Sequence, residues 1–109
     1  ATCTDITNSY VKLNIQGPNS RKFLQGLTKS DISNEGLPFR GVKDIDIGYC
    51  WVKCVRITYV GELGYELYIP SEFAVHVYDK IIEYDQKNNL KLAHTGLRAL
   101  GSLRMEKGY

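Results

Sequence analysis

The sequence lacks a long hydrophobic run, an excess of one charge and a Cys-x-x-Cys pair. No apolar segment of the 109 residues approaches the ~18 to 20 consecutive residues that cross a bilayer. Fourteen basic and twelve acidic residues are interspersed and give a net charge of +2, so there is no basic stripe of the kind that binds nucleic acid. We therefore expect a protein that binds neither a membrane nor nucleic acid.

The cysteines and histidines are few and widely spaced. Cys3, Cys50 and Cys54 form an odd count, and neither His76 nor His94 stands at zinc-ligand spacing from them. Free thiols and no metal site are the simplest interpretation. If residues 50–54 are extended, both sulfurs point to one face, as expected of core residues. No Ser/His/Asp or Cys/His set for nucleophilic catalysis can be assembled.

The length allows one modest core, since domains cluster near ~100 to 150 residues. The hydrophobic fraction of 43% and the charged fraction of 24% are ordinary for a globular protein. The first four residues lack a basic segment followed by an apolar segment, so no targeting segment is recognised. The chain ends directly after a helical pattern, and we expect residues 1–109 to be a single-domain fragment of a longer protein.

The first third of the chain predicts a strand followed by a helix. Alternating apolar residues predict a strand over residues 10–15, and Gly17-Pro18 breaks it. Asn19 can cap a helix that continues to about residue 28. Arg21 and Lys22 put two positive charges at the start of this helix, where an anion could bind. We favour a plain turn and cap, because Pro18 lacks an amide hydrogen.

A loop over residues 30–40 precedes extended segments at 42–49, 51–60 and 65–69. Gly61-Glu62-Leu63-Gly64 is a loop of about four residues, which suits a β-hairpin and predicts antiparallel pairing of the last two segments. The spacing of its glycines matches neither a dinucleotide fingerprint nor a P-loop, so a phosphate site is not expected.

Two helices complete the prediction. Ser71 is the expected N-cap of a helix that continues to about Lys87, where Asn88-Asn89 stops it. Thr95 is the expected cap of a last helix with Leu97, Leu100, Leu103 and Met105 facing inward. The order β-α-β-β-β-α-α predicts an α+β fold, a mainly antiparallel sheet with helices packed on one face.

Glu66 is the carboxylate with the most functional promise. A two-residue period places it on the same face as Gly64 and Tyr68, opposite Tyr65 and Leu67. If the latter face is the core, Glu66 projects into solvent or a cleft, with open space beside Gly64. A carboxylate there can accept two parallel hydrogen bonds from a planar amino-heterocycle, and Tyr59 could supply a flat wall. On the residues alone we favour an exposed glutamate that hinders strand aggregation.

A family resemblance changes this interpretation. Residues 59–70 resemble the signature of the glycine-cleavage T-protein (aminomethyltransferase) superfamily. Residues 13–18 resemble the strand-turn opening of that family, and residues 97–109 resemble its later helix. Residues 42–48, together with the hairpin, look closest to the folate domains of sarcosine and dimethylglycine dehydrogenases. The chain is thus expected to be a fragment of the folate-binding aminomethyltransferase fold.

The resemblance implies that Glu66 holds the amino edge of the pterin of tetrahydrofolate and that Tyr59 lies along the folate pocket. In such enzymes a domain outside this chain uses FAD to oxidise a methylated glycine. Tetrahydrofolate then accepts the one-carbon unit. The catalytic Asp of the family belongs to a segment that precedes this chain, so the catalytic residues here are unknown. T-proteins proper carry an arginine at the position of Leu100, and the nearest cation here is Arg98, which favours the dehydrogenase branch or weakens folate binding.

The same resemblance leaves two alternatives open. One is a non-enzymatic regulatory module of the kind found in the pyruvate dehydrogenase phosphatase regulatory subunit, and the other is an autonomous T-protein. The partners implied are folate, a methylated glycine and the remaining domains of the parent chain, with a lipoyl carrier as the partner of the autonomous T-protein, and the location implied is the mitochondrial matrix. The isolated fragment is expected to be inactive.

Overall fold

The computed structural model describes residues 2–58, 60–95 and 97–108, with side chains left undescribed at 97–101. The elements of the described chain are β1 (Tyr10–Gln16), α1 (Ser20–Gln25), β2 (Val42–Ile47), β3 (Cys50–Val55), β4 (Gly64–Pro70), α2 (Ala74–Asn88) and α3 (Leu97–Glu106). Short 3-10 turns at Thr7–Ser9 and Ser71–Phe73 precede β1 and α2. None of the described helices combines the length and apolar character needed to cross a membrane.

The strands form one antiparallel sheet in the order β1-β4-β3-β2. The α+β class and the antiparallel pairing of β3 with β4 are therefore confirmed. β4 lies inside the sheet, paired along its whole length with β1 and over three residue pairs with β3. This central position matters for function, because the side chains of β4 are flanked on both sides by neighbouring strands.

One face of the sheet is the core. Strand alternation directs every second residue of each strand to this face, where α1 and α2 cover it. The buried residues include Ile15 on β1, Val52 and Cys54 on β3, and Tyr65, Leu67 and Ile69 on β4, with Phe23, Leu24, Val77 and Ile81 from the helices. The predicted placement of Cys50 and Cys54 on one buried face is confirmed.

One predicted strand boundary and one predicted connection are wrong. The turn between β2 and β3 is only two residues, Gly48 and Tyr49, both with positive φ, as a tight hairpin turn requires. The connection between β3 and β4 is much longer than four residues. After Val55 the chain stays bonded to the segment before β2, with the Arg56 amide donating to the Gly41 carbonyl, and β4 begins only at Gly64.

The helix predictions also need correction. The side chain of Ser71 does not cap α2, since its Oγ donates to the carbonyl of Asn8 at 2.7 Å and α2 begins three residues later. Asn19 holds the cap position of α1 without a side-chain bond. The predicted stop is confirmed, because Asn89 adopts the left-handed conformation that ends α2.

The prediction that α3 buries its apolar side chains can be compared with the structure at Leu103 and Met105. Leu97, Leu100 and Arg98 lie outside the described side chains. Leu103 is 40% exposed and Met105 is 82% exposed, so the inward placement expected of these two is wrong. The described core cluster takes its helical side chains from α1 and α2.

Candidate functional site

Glu66 lies at the middle of β4, on the face opposite the core. Its neighbours across the sheet are Asn14 on β1 and Val55 on β3. Although its face is not the core face, Glu66 is only 3% exposed. As expected, Glu66 lies on the sheet face opposite the core, but its side chain does not extend into open solvent. A carboxylate so enclosed requires partners, because burying an unpaired charge is costly.

Two partners of Glu66 converge on one of its oxygen atoms. The hydroxyl of Tyr68 donates to Glu66 Oε2 at 2.9 Å, and Lys12 Nζ lies 3.6 Å from the same oxygen. The Lys12 side chain is 46% exposed, so solvent weakens its ion pair. The tyrosine bond is the shorter contact and points along the strand. The arrangement holds the carboxylate in a defined orientation beside β1.

The space beside Gly64 is not open, which corrects the sequence-based expectation. Gly64 pairs with Gln16 across the sheet. A Cβ at position 64 would overlap the side-chain amide of Gln16. The absent side chain of Gly64 therefore makes room for Gln16 within the protein. This glycine acts by close approach, since its backbone does not adopt positive φ.

The amide of Gln16 is only half satisfied. Its Oε1 accepts a hydrogen bond from the Thr58 hydroxyl at 3.1 Å. Its Nε2 is buried and has no hydrogen-bond partner among the described residues. A buried amide nitrogen without a partner is rare in folded proteins and costs free energy. Gln16 thus offers a donor at the same sheet face on which Glu66 offers an acceptor.

A cleft of about 250 Å³ adjoins this face. It is formed by the loop after β3 and the start of β4, and its lining includes Phe39, Thr58, Leu63 and Gly64. Thr58 and Gly64 both contact Gln16. Glu66 is two residues further along β4 and does not line the cleft itself. The candidate Tyr59 lies outside the described residues, so its predicted place in the pocket stays a prediction.

An ion pair connects the loop to the end of α3. Lys107 Nζ lies 2.8 Å from Glu62 Oε1. Gly61 has a φ of 73°, and a Cβ there would meet the stem of Lys107. The glycine therefore serves both the turn and the approach of this lysine.

The family of the chain follows from its sequence as a whole. The profile of the GCVT N-terminal domain matches residues 1–109. The chain belongs to the GCVT N-terminal domain family. It is 41% identical to human mitochondrial sarcosine dehydrogenase over 96% of this chain and 11% of that protein. It is 36% identical to human mitochondrial dimethylglycine dehydrogenase over 96% of this chain and 12% of that protein.

A bacterial relative of this GCVT domain extends the comparison. The 4-methylaminobutanoate oxidase (formaldehyde-forming) of Paenarthrobacter nicotinovorans is 38% identical over the whole chain. The chain spans 13% of that protein. The chain thus covers about one eighth or less of these three relatives. The resemblance to the glycine-cleavage family is confirmed at the level of the domain.

The cysteines and histidines of this GCVT domain lie apart from the candidate site. Burial raises the pKa of the Cys54 thiol to about 12, and burial together with Glu72 raises the pKa of Cys50. Both are therefore protonated and unreactive at neutral pH. His76 Nε2 lies 2.6 Å from the carbonyl oxygen of Gly48, and His94 contacts Tyr78. Within the described residues no cluster of three metal-ligating side chains occurs.

Sequence reasoning missed Gln16 and Lys12 in this GCVT domain. Both lie on β1 opposite β4, and both project to the face of Glu66. The signal that could have found them is the polar half of the β1 alternation, Lys12, Asn14 and Gln16. That alternation identifies the face but not the partner strand. Only the β1–β4 register brings Gln16 to Gly64 and Lys12 to Tyr68.

Proposed function

We propose that residues 1–109 are a single-domain fragment that supplies the tetrahydrofolate-binding portion of a flavin-dependent sarcosine or dimethylglycine dehydrogenase. In this proposal the parent protein transfers a one-carbon unit from a methylated glycine to tetrahydrofolate. The observation that carries the proposal is the enclosed carboxylate of Glu66 on the sheet face that does not form the core. The identity to human sarcosine dehydrogenase supports the choice of enzyme class.

The polar groups around β4 fit a pterin. A pterin edge presents N–H donors beside a carbonyl acceptor. Glu66 supplies an anionic acceptor for such donors. Gln16 Nε2, buried and without a partner in the described chain, is a donor of the kind that a ligand carbonyl requires. Charge-assisted hydrogen bonds to Glu66 are expected to contribute more than the neutral bond from Gln16.

We propose Tyr59 as a flat wall of the same pocket, on the strength of the family resemblance. It follows Thr58, which lines the cleft and holds Gln16. An aromatic face favours stacking on a planar ring. In this proposal Glu66 orients the ring of the pterin, Gln16 fixes the position of the ring along β1, and Tyr59 excludes water from one side of it.

The reaction itself requires more than this chain. Tetrahydrofolate would supply the amine that accepts the one-carbon unit. The described residues of this chain would bind and orient it, and Tyr68 would keep the Glu66 carboxylate in position. The catalytic residues and FAD are proposed to belong to the remaining domains of the parent chain. We propose the mitochondrial matrix as its location, in line with the mitochondrial names of two of the relatives above.

The decisive experiment is calorimetric titration with tetrahydrofolate. It is done on the 109-residue chain and on the full-length parent protein, each as wild type and as Glu66→Gln. Losing one charged partner of a buried hydrogen bond costs roughly 1.5 to 3 kcal/mol, so the affinity should fall about 10- to 150-fold. Glu83→Gln is the matched control, because Glu83 is an exposed carboxylate on α2.

Unchanged affinity of Glu66→Gln in the full-length parent would refute the assignment of Glu66. Equal losses in Glu66→Gln and Glu83→Gln would show a general charge effect instead of a specific contact. Binding by the parent but not by the isolated chain agrees with the proposal, since the pocket is expected to lie between domains. No binding of tetrahydrofolate by the parent would refute the folate function as a whole.

The similarity to a formaldehyde-forming oxidase favours a second candidate function. In that case the parent protein oxidises an N-methyl group and releases the one-carbon unit as formaldehyde. Turnover of sarcosine and dimethylglycine with and without tetrahydrofolate distinguishes the two. Because free formaldehyde also condenses with tetrahydrofolate without an enzyme, a loss of formaldehyde during turnover that exceeds the loss in an enzyme-free mixture of the two supports transfer, and equal losses support the oxidase. Absence of turnover with folate still bound supports the regulatory module, and transfer only with a lipoyl carrier supports the T-protein.

A further inference from the structure

Two arginines from distant parts of the chain meet at one oxygen atom. Arg21 Nη2 donates to Asn34 Oδ1 at 2.8 Å, and Arg56 Nη1 donates to the same oxygen at 2.7 Å. Two guanidinium groups are thus held within hydrogen-bonding distance of a single neutral acceptor. Like charges at this separation repel each other, and an amide oxygen offsets that repulsion less than a carboxylate does.

The described residues supply no carboxylate to this pair. The ion pairs of the described chain involve Lys12, Lys53, Lys80 and Lys107, and none involves an arginine. Arginine forks match carboxylates in geometry and charge, so a close arginine pair is suited to bind one. Neither arginine forms an ion pair within the described structure.

Both guanidinium groups are fixed by further bonds. Arg21 Nε donates to the hydroxyl of Tyr65 at 3.0 Å, and Tyr65 is fully buried. Arg56 Nη1 also lies 3.4 Å from the carbonyl oxygen of Leu37. These bonds use two of the five N–H donors on each side chain. The remaining donors are held in place, which lowers the entropic cost of binding an anion.

The pair lies where two clefts meet. Arg56 lines the cleft beside Gly64, and Arg21 lines an open groove of about 590 Å³ with Lys22 and Ser33. Leu63 lines both. Asn34, between the arginines, is exposed, so a ligand can reach the site from solvent.

We propose that Arg21 and Arg56 form a binding site for the carboxylate group of a small-molecule ligand, with Asn34 holding the two guanidinium groups together. Both guanidinium groups donate to the amide oxygen of Asn34. This oxygen is bonded to a trigonal carbon, as the oxygens of a carboxylate are. A carboxylate supplies two such oxygens and a negative charge, which favours it over a tetrahedral phosphate. This site is distinct from Glu66 and does not depend on the proposed folate function.

The test is a titration of the full 109-residue chain followed by nuclear magnetic resonance. The probes are sodium glutarate and, in a separate arm, inorganic phosphate, both at constant ionic strength. We expect saturable shifts of the Arg21 and Arg56 Nε–H signals and of the Asn34 side-chain amide with glutarate. Arg21→Gln should weaken glutarate binding at least about tenfold, since it removes charged hydrogen bonds.

A second variant tests the site independently, in case Arg21→Gln does not fold. Asn34→Asp places a carboxylate at the point where both guanidinium groups already donate, so it should fill the site and abolish the glutarate response in a folded protein. Lys87→Gln, which removes a distant positive charge, should keep the response. Shifts that rise linearly without saturation, or that persist in Asn34→Asp, would overturn the proposal. Saturation by phosphate but not by glutarate would overturn the choice of a carboxylate.

Discussion

Tyr68 and Glu66 lie two residues apart on the same face of β4, and the hydroxyl of the tyrosine donates to Glu66 Oε2 at 2.9 Å. This contact is local in sequence, because residues i and i+2 of a strand share a face. It stands out energetically because Glu66 is nearly buried, whereas Lys12, which contacts the same oxygen, is half exposed. The tyrosine hydroxyl is therefore the partner least weakened by solvent.

Replacing Tyr68 by phenylalanine tests this relationship. The variant removes the donor while keeping the ring, and loss of a hydrogen bond to a charged group should lower the free energy of unfolding by about 1.5 kcal/mol. Urea denaturation at pH 7 measures the difference. Tyr78→Phe is the matched control, because the Tyr78 hydroxyl meets the exposed His94. Equal effects of the two substitutions would contradict the special role of Tyr68.

The close approach of Gln16 to Gly64 predicts non-additive mutational effects. Gly64→Ala introduces a Cβ that overlaps the Gln16 amide and should cost about 1 to 3 kcal/mol, as other overpacking substitutions do. In a Gln16→Ala background the space is free, so the same substitution should cost close to nothing. A double-mutant cycle from denaturation curves measures the coupling. Additive effects would show that Gln16 moves aside without cost.

Asp46 gives the stability of the fold a predictable dependence on acid. Hydrogen bonds from Thr28, and further ones from Ser30 and the Lys29 amide, lower the pKa of Asp46 below its ordinary value of 3.8. Because the folded pKa is the lower one, the stabilisation is present above pH 3.8 and is lost as the pH falls through the folded value.

Asp46→Asn should therefore be less stable than the wild type at pH 7 and should lose less stability between pH 5 and about pH 2. Chemical denaturation across this range measures both. Asp44→Asn removes a neighbouring surface carboxylate that pairs with Lys53 and serves as the control for charge. If the two variants have the same pH profile, the hydrogen bonds to Asp46 do not carry the effect.

Local patterns predicted much of the architecture. Alternation in residues 10–15 and 65–69 located β1 and β4, and it assigned Tyr65 and Leu67 to one face and Glu66 to the other. Asn89 was correctly placed at the end of α2. These features depend on side-chain period and on backbone preference, and neither requires knowledge of distant residues.

The loop after β3 and the surroundings of Glu66 were not predictable in the same way. The four-residue hairpin failed because β4 begins by pairing with β1, where the Gly17 amide donates to the Leu63 carbonyl, while Arg56 remains bonded to the segment before β2. Strand register is a long-range property, and β-propensity reports little about it. The space expected beside Gly64 was likewise filled by a residue 48 positions earlier.

The sequence by itself determined the order of the elements and the alternation that sets Glu66 opposite Tyr65 and Leu67, because both are encoded in local composition and period, and its match to a family profile along the whole chain determined the family. Tertiary structure alone decided that Glu66 is enclosed, that Gln16 lies over Gly64 with an unpartnered amide nitrogen in the described chain, and that Arg21 and Arg56 share Asn34. The physical reason is that hydrogen bonds and burial depend on distances between residues far apart in the chain, and only the packed sheet sets those distances.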